Sequence, residues 1–311
     1  MKKDIKITKF DVIILTYNSQ NRILNLINSI KLQTIQPENI LVIDSNSTDD
    51  TVKIAKNNGC ITYVIKKEDF DHGGTRTYAA KLSNAEFLVY LTDDVLLYDK
   101  YSLENLLVFF DDNKVAAVFG RQIPYEDTNI WGKHLRFFNY PENDYIRSYQ
   151  DKKEYGIKTV FLSNSFCAYR KEALEKVGYF KEKLILGEDT YIGAKLIMAG
   201  YKIAYSSKAI VFHSHSYSII QEFKRYVDIG IFHRTENWIL KEFGAPKREG
   251  KKYIFSGIKY LVKNKKVILI PEFFIRVFFK YLGYKLGYNY TILPKFLVKI
   301  ISMHKPKFLF N

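Results

Sequence analysis

Four short apolar runs, at residues 10–15, 39–43, 61–65 and 86–91, alternate with segments whose apolar residues recur at helical spacing, and this restricts the chain to few folds. The run FDVIIL is rich in β-branched residues, and it, NILVI and EFLVYL read as buried strands. A strand of that kind is covered on both faces, which is the condition of a parallel sheet with helices above and below it. Between the first two runs, Ile23, Leu26, Ile27 and Ile30 form one face of a helix reaching to about Gln33. Ser47-Thr48-Asp49-Asp50 has the small polar and acidic residues of a helix start, and Asn58-Gly59 those of a stop. After a polar turn at 71–76, another helix runs to about Leu82. The sequence therefore predicts an α/β fold with a mainly parallel sheet flanked by helices.

Beyond residue 115 the pattern predicts strands at 116–120, 160–164 and 203–205, with helices at 171–177 and 190–199. From about residue 218 the reading is mainly helical. Two regions follow: residues 1–217 as the catalytic α/β domain, and residues 218–311 as a helical, basic, aromatic-rich extension. Cys60 and Cys167 show no metal or redox spacing and read as free buried thiols, which suits a reducing compartment. The opening residues run directly into a strand pattern without a leader's apolar segment. No stretch approaches the roughly 18–20 apolar residues that a membrane span requires.

In open α/β sheets, ligands bind beyond the carboxyl ends of the strands, and polar clusters fall there. Thr16-Tyr17-Asn18 follows the first strand, Asp44-Ser45 the second, and Asp93-Asp94 the fourth. A strand-end carboxylate pair can hold a hard divalent cation against a diphosphate, although a solvated turn accounts for the pair equally well. Glu188-Asp189 lies at a helix start behind Gly187, where an ionised acid can serve as general base or merely as a cap. His213-Ser214-His215 follows the apolar run 209–212; a strand would put both imidazoles on one face, as ligands or as structural residues. In Asp71-His72-Gly73-Gly74-Thr75-Arg76, two glycines permit close backbone approach and the arginine can grip phosphate; a turn with a capping arginine is the alternative.

Taken in order, DVIILTYNSQNRI, ILVIDSNSTDDT, LTDDV and LGEDTYIGAKLIMAGYKI resemble the inverting family-two glycosyltransferases of the GT-A (Rossmann-like) fold, over roughly residues 10–217. Within that family, FDHGGTRTYAA, VFHSHSYSIIQEFKRYVDIGIFH and the tail string KYLGYKLGYNY are similar to bacterial dTDP-rhamnose-dependent rhamnosyltransferases of polysaccharide assembly. The resemblance implies that Thr16, Tyr17 and Asn18 line the base and ribose pocket and that Asp44, beside Ser45, binds the nucleoside. It gives the second wall of that pocket to Asp71, Gly74, Thr75 and Arg76. Asp94, with Asp93 beside it, matches the metal-binding aspartate of the DxD pattern, whose first carboxylate is Thr92 here. Asp189 matches the catalytic base, Glu188 its acceptor-positioning neighbour, and His213 or His215 completes the environment of a Mg²⁺ or Mn²⁺ ion and the diphosphate. The implied reaction is a single displacement in which Asp189 deprotonates the acceptor hydroxyl.

The formal net charge is +15. Residues 241–311 hold 16 Lys and Arg against 3 Glu, and the preceding 240 residues hold 32 against 30. A nucleic-acid-binding protein would carry basic charge around its binding groove, but the strand ends here are acidic. A dinucleotide-dependent oxidoreductase needs a glycine-rich first turn, and this one reads TYNSQ. The stretch 271–290 instead offers Phe273, Phe274, Val277, Phe278, Tyr281 and Leu282 with Arg276 and Lys280, a composition suited to an anionic membrane surface. Packing on the catalytic domain or on a second copy, as in a homodimer, is the alternative. The expected partners are a nucleotide-sugar donor, a saccharide acceptor of the polyprenyl-linked kind and the inner, cytoplasmic face of the cell membrane.

Overall fold

The computed structural model describes residues 9–304; the opening at residues 1–8 and the end of the extension at 305–311 lie outside the described residues. The first half follows the predicted alternation: β1 (Phe10–Thr16), α1 (Gln20–Lys31), β2 (Ile40–Asp44), α2 (Thr51–Asn57), β3 (Ile61–Val64), α3 (His72–Leu82) and β4 (Phe87–Thr92). Next come β5 (Leu96–Leu97), α4 (Ser102–Leu107), β6 (Val115–Ile123), α5 (Ile130–Asn139), β7 (Tyr145–Arg147) and α6 (Lys152–Tyr155). They are followed by β8 (Phe166–Arg170), α7 (Lys171–Lys176), α8 (Glu188–Met198) and β9 (Lys202–Phe212). The extension consists of α9 (Ile219–Thr235), α10 (Asn237–Phe243), α11 (Lys247–Lys263), α12 (Ile270–Tyr288) and α13 (Lys295–Ile301).

Among the described residues, nine strands form one sheet in the order β3-β2-β1-β4-β8-β6-β9-β5, with β7 added on β9. The first four pair in parallel and the rest are mixed, because β8 runs antiparallel between β4 and β6. From β1 the chain first builds β2 and β3 on one side, then crosses to β4 on the other. Such a reversal opens a crevice at the carboxyl ends of the strands, and Thr16, Asp44 and Thr92 end their strands there within one residue of a common level. The apolar runs are explained by burial on two sides. Val12 and Ile14 pack with Val42 and Leu91 in one core, whereas Ile13 packs with Ile43 and Tyr90 in the other.

Three local expectations are corrected. Residues 160–164 form no strand: a 3-10 turn ends at Val160, and the strand begins six residues later at Phe166. Val160 and Leu162 are apolar because they are buried in the core, without a ladder partner. The predicted turn at 71–76 is the first turn of α3, in which Asp71 Oδ1 accepts from Gly74 N at 2.6 Å. A Cβ on Gly73 would lie 1.9 Å from the Lys181 carbonyl oxygen, so this glycine admits a neighbouring loop. The runs 203–205 and 209–212 belong to one long strand, β9, and His213 and His215 lie just past its end.

The basic tail residues are corrected as well. Arg276 and Lys280, expected at the surface, are buried against Glu222 of α9 at 3.1 Å each. Helices α9 and α12 approach closely because they meet at glycines: a Cβ on Gly287 would stand 1.9 Å from the Val227 carbonyl oxygen. Among the described residues no helix is long and apolar enough to cross a membrane.

Candidate active site

At the crevice, the β1 and β2 loops are tied together first. Thr16 Oγ1 donates to Asp44 Oδ2 at 2.8 Å, and the same carboxylate accepts from Ser47 N and Ser47 Oγ. Asp44 is 0% exposed and Ser45 is buried, so they shape the loop from below. Asn18 adopts a positive φ and its Oδ1 accepts from Thr48 N at 2.9 Å. Tyr17 remains 40% exposed, with Lys67 Nζ 4.2 Å above its ring. Asp71 caps α3 and its Oδ2 accepts from Lys183 N at 3.0 Å; Thr75 Oγ1 accepts from Asp71 N. These residues frame the crevice rather than line its cleft.

The cleft itself has a volume of about 530 Å³ and gathers Arg76, Asp93, Asp94, Glu188, Asp189, His213 and His215. Asp93 is engaged by Ser19 and by Arg22 Nη2. Asp94 Oδ2 lies 3.3 Å from His213 Nε2 and 3.8 Å from His215 Nε2, and the three residues offer ligand atoms within 4.8 Å of one another. Burial works to raise the Asp94 carboxyl, but the two imidazoles outweigh it and hold the group well below the usual carboxylate range.

The proton on His213 can be placed from its neighbours. Gln122 Oε1 accepts from the Arg136 guanidinium, which can only donate, and the same oxygen lies 2.7 Å from His213 Nδ1. Nδ1 must therefore donate as well. Burial holds His213 below its ordinary value, against the pull of the Asp94 charge that its Nε2 faces. Asp94 Oδ2 and His213 Nε2, 3.3 Å apart, need positive charge between them, either a proton on Nε2 or a cation. An imidazole fixed by an outer hydrogen bond beside a carboxylate is the donor set of a divalent cation.

Across the cleft stand the two acids at the start of α8. Glu188 Oε1 is 3.2 Å from Arg76 Nη1 and accepts from Asn164 Nδ2 at 3.0 Å. Arg76, 5% exposed, also donates to the His72 carbonyl, so its guanidinium is committed to this corner. Burial disfavours the Glu188 charge, but Arg76 and His72 more than offset it and the carboxyl is lowered. Asp189 differs. Its Oδ1 accepts only locally, from Thr190 N at 2.6 Å and Thr190 Oγ1, while burial and then the Glu188 charge push it up to about 7. A half-buried carboxyl poised near neutrality is what proton abstraction requires.

Residue-type reasoning missed several groups here. Gln122 ends β6 on the same sheet edge, so the strand-end rule could have found it. Arg136 of α5 and His304 line the cleft with no local motif to announce them, whereas Arg225 of α9 falls within the string VFHSHSYSIIQEFKRYVDIGIFH.

The site thus combines a crevice at the strand ends, a carboxylate–imidazole cluster and a poised acid. Residues 11–178 match the glycosyl transferase family 2 model. The chain belongs to that family and is a glycosyltransferase of the GT-A fold. It is 43% identical over 299 residues to the O-antigen chain rhamnosyltransferase RfbN of Salmonella typhimurium, covering 96% of this chain and 95% of that one. It is 44% identical to the O-antigen chain rhamnosyltransferase WbaN of Salmonella anatum, over 95% and 94% of the two chains. In structure it resembles the mannosyltransferase PcManGT of Pyrobaculum calidifontis, solved with GDP-Man and Mn²⁺ (TM-score 0.64, 13% identity, 92% and 88% covered). It also resembles S. aureus TarS solved with UDP (TM-score 0.55, 19% identity, 91% of each chain).

Proposed function

We propose that the protein transfers L-rhamnose from dTDP-rhamnose, with inversion, to a hydroxyl of a polyprenyl-linked saccharide in the assembly of a cell-surface polysaccharide. The donor assignment draws on the nearly full-length identity to two O-antigen rhamnosyltransferases. The observation that carries the chemistry is the single cleft holding Asp189 opposite the Asp94–His213–His215 cluster.

In this reading Tyr17 offers a stacking face to the base, on a loop that Thr16, Asn18, Asp44 and Ser45 hold in place. Asp71, Gly74 and Thr75 set the opposite wall through the α3 cap. Asp94, His213 and His215 would hold Mg²⁺ or Mn²⁺, which would supply positive charge against a diphosphate. Asp189 takes the proton from the acceptor hydroxyl as that oxygen attacks the anomeric carbon. Glu188, kept ionised by Arg76, tunes Asp189 and helps orient the acceptor. Fixing the reactants and the surrounding charges contributes most of the rate.

The same reading puts the enzyme on the inner face of the cell membrane. Phe255 and Val262 of α11, Phe274, Phe278 and Tyr281 of α12, and Phe296 and Ile300 of α13 are exposed, with exposed Lys251, Lys252, Lys259, Lys263 and Lys295 among them. Exposed aromatics interleaved with lysines match an anionic lipid interface.

A panel of dTDP-, UDP- and GDP-sugars, incubated with Mn²⁺ or Mg²⁺ and a saccharide acceptor, tests the assignment. Transfer from dTDP-rhamnose with inverted anomeric configuration, lost on chelation with EDTA, is expected. Preference for a UDP-sugar would overturn the donor, retention the single displacement, and full activity in EDTA the cation.

A further inference from the structure

The last described residues do not trail away from the extension but return to the cleft. Asp228 on α9 is 0% exposed, and its carboxylate is spent entirely on them. Oδ1 accepts from Ser302 Oγ at 2.6 Å, and Oδ2 accepts from Met303 N at 3.2 Å and His304 N at 3.0 Å. A buried carboxylate is costly to desolvate and is tolerated only when hydrogen-bonded. This one fixes where the chain lies, one helical turn from Arg225, which itself lines the cleft.

The clasp brings His304 to the catalytic acids. His304 lines the cleft and meets His72 edge-to-face at 5.8 Å between ring centroids, while His72 meets Phe70 at 5.0 Å. His72 carries the carbonyl that orients Arg76, the partner of Glu188. His304 thus belongs to the Glu188–Asp189 end, away from the Asp94 cluster where the diphosphate is placed. Burial pulls His72 and His304 below their ordinary values, against the charges of Glu188 and Asp228. A neutral imidazole has one donor and one acceptor, as a sugar hydroxyl does, and its ring can pack on a sugar's C–H face.

We propose that residues 302–304, clasped by Asp228, form the acceptor-side wall of the cleft, and that His304 binds the saccharide acceptor and sets its selectivity. This rests on the glycosyltransferase site described above. None of these residues belongs to the four motifs that mark the α/β half, so the extension supplies part of the substrate site.

The test uses the full chain, dTDP-rhamnose and a panel of methyl hexosides as acceptors, with dTDP binding measured separately by thermal protection. For His304→Ala, the acceptor KM is expected to rise about tenfold, the worth of one hydrogen bond to a sugar hydroxyl. Its kcat at saturation, donor hydrolysis and dTDP protection should stay within about twofold of the parent. His304→Gln, which keeps a donor and an acceptor, should recover part of the loss. Ser302→Ala, which loosens the clasp without touching the cleft, should raise the same KM less. An unchanged acceptor KM in His304→Ala would overturn the proposal, as would a matching loss of dTDP protection. Failure of the parent enzyme to transfer from any donor would instead defeat the donor assignment, and dTDP protection tells the two apart.

Discussion

Two buried arginine–glutamate pairs in this molecule have nearly the same geometry and different consequences. Arg76 and Glu188 lie 3.2 Å apart beneath the cleft, Arg276 and Glu222 lie 3.1 Å apart in the extension, and all four side chains are 9% exposed or less. In the extension the charges balance. Glu222 also meets Lys280 at 3.1 Å, Arg276 holds Glu272 at 2.9 Å and the Tyr217 carbonyl, and Lys280 donates to Tyr253. At the cleft, among the described residues, Arg76 is the one cation in ion-pair contact with either of the two adjacent acids, and its Nε has no partner. A saturated pair locks helices together. The unsaturated one leaves Asp189 with a charge its surroundings resist, and there lies the chemistry.

Neutralising the resisted charge should have the largest effect. Asp189→Asn is expected to lower kcat by about 10²–10⁴, the usual worth of a general base, with dTDP protection unchanged. Stability should move the other way. A carboxyl raised in the folded state binds its proton more tightly there than in the unfolded chain. Its ionisation therefore destabilises the fold as pH rises from the ordinary aspartate range through about 7. The Asn variant should gain melting temperature over the parent at pH 8 and gain little at pH 4. An Asn variant that turns over near the parental rate would remove Asp189 as the base.

Breaking the balanced pair should change stability instead. Arg276→Met leaves Glu222 and Glu272 short of a cation and is expected to cost about 3–5 kcal/mol in urea unfolding, while the folded fraction keeps its kcat. A variant as stable as the parent would show that the tail cluster is no lock. A smaller effect separates the clusters by pH alone. Below about 7, kcat/KM should fall about tenfold per pH unit as Asp189 takes up its proton. In Arg76→Met that midpoint should move upward, since the nearby positive charge is lost; in Arg276→Met it should stay.

The contrast also marks what the sequence could reveal. Parallel strands covered on both faces leave unbroken apolar runs, so β1, β2 and β4, and the polar residues at their ends, were legible. Antiparallel β8 was misplaced because Val160 and Leu162 are as buried as strand residues without pairing. Asp94, Asp189 and the two histidines could be picked out because each stands at an element's edge. Arg276 and Lys280 could not: four apart on a helix, they look solvated, and only Glu222 in another helix makes burial tolerable. In the sequence Arg76 fits a phosphate grip or a capping arginine, and its ion pair is hidden for the same reason, since Glu188 stands 112 positions away in the chain. His304 reaches the cleft only through Asp228, a contact no local pattern encodes.

Burial of those two tail cations narrows the membrane reading to other residues, and this yields the smallest expected effect. Arg276 and Lys280 cannot meet lipid, so any attraction to an anionic surface falls to exposed lysines such as Lys251 and Lys259 and to exposed rings such as Phe274 and Phe278, 48% and 58% accessible. Each such lysine contributes about 1 kcal/mol near anionic lipid. Lys251→Gln with Lys259→Gln should therefore weaken binding to phosphatidylglycerol vesicles by about thirtyfold at low salt. Phe274→Ser with Phe278→Ser should weaken it at high salt too, where charge is screened and apolar insertion is not. Neither pair touches the locked cluster, so melting temperature and kcat on a lipid-free acceptor should hold. If the phenylalanine pair instead converted a dimer to a monomer in sedimentation without changing vesicle binding, the exposed face would belong to a second copy of the chain.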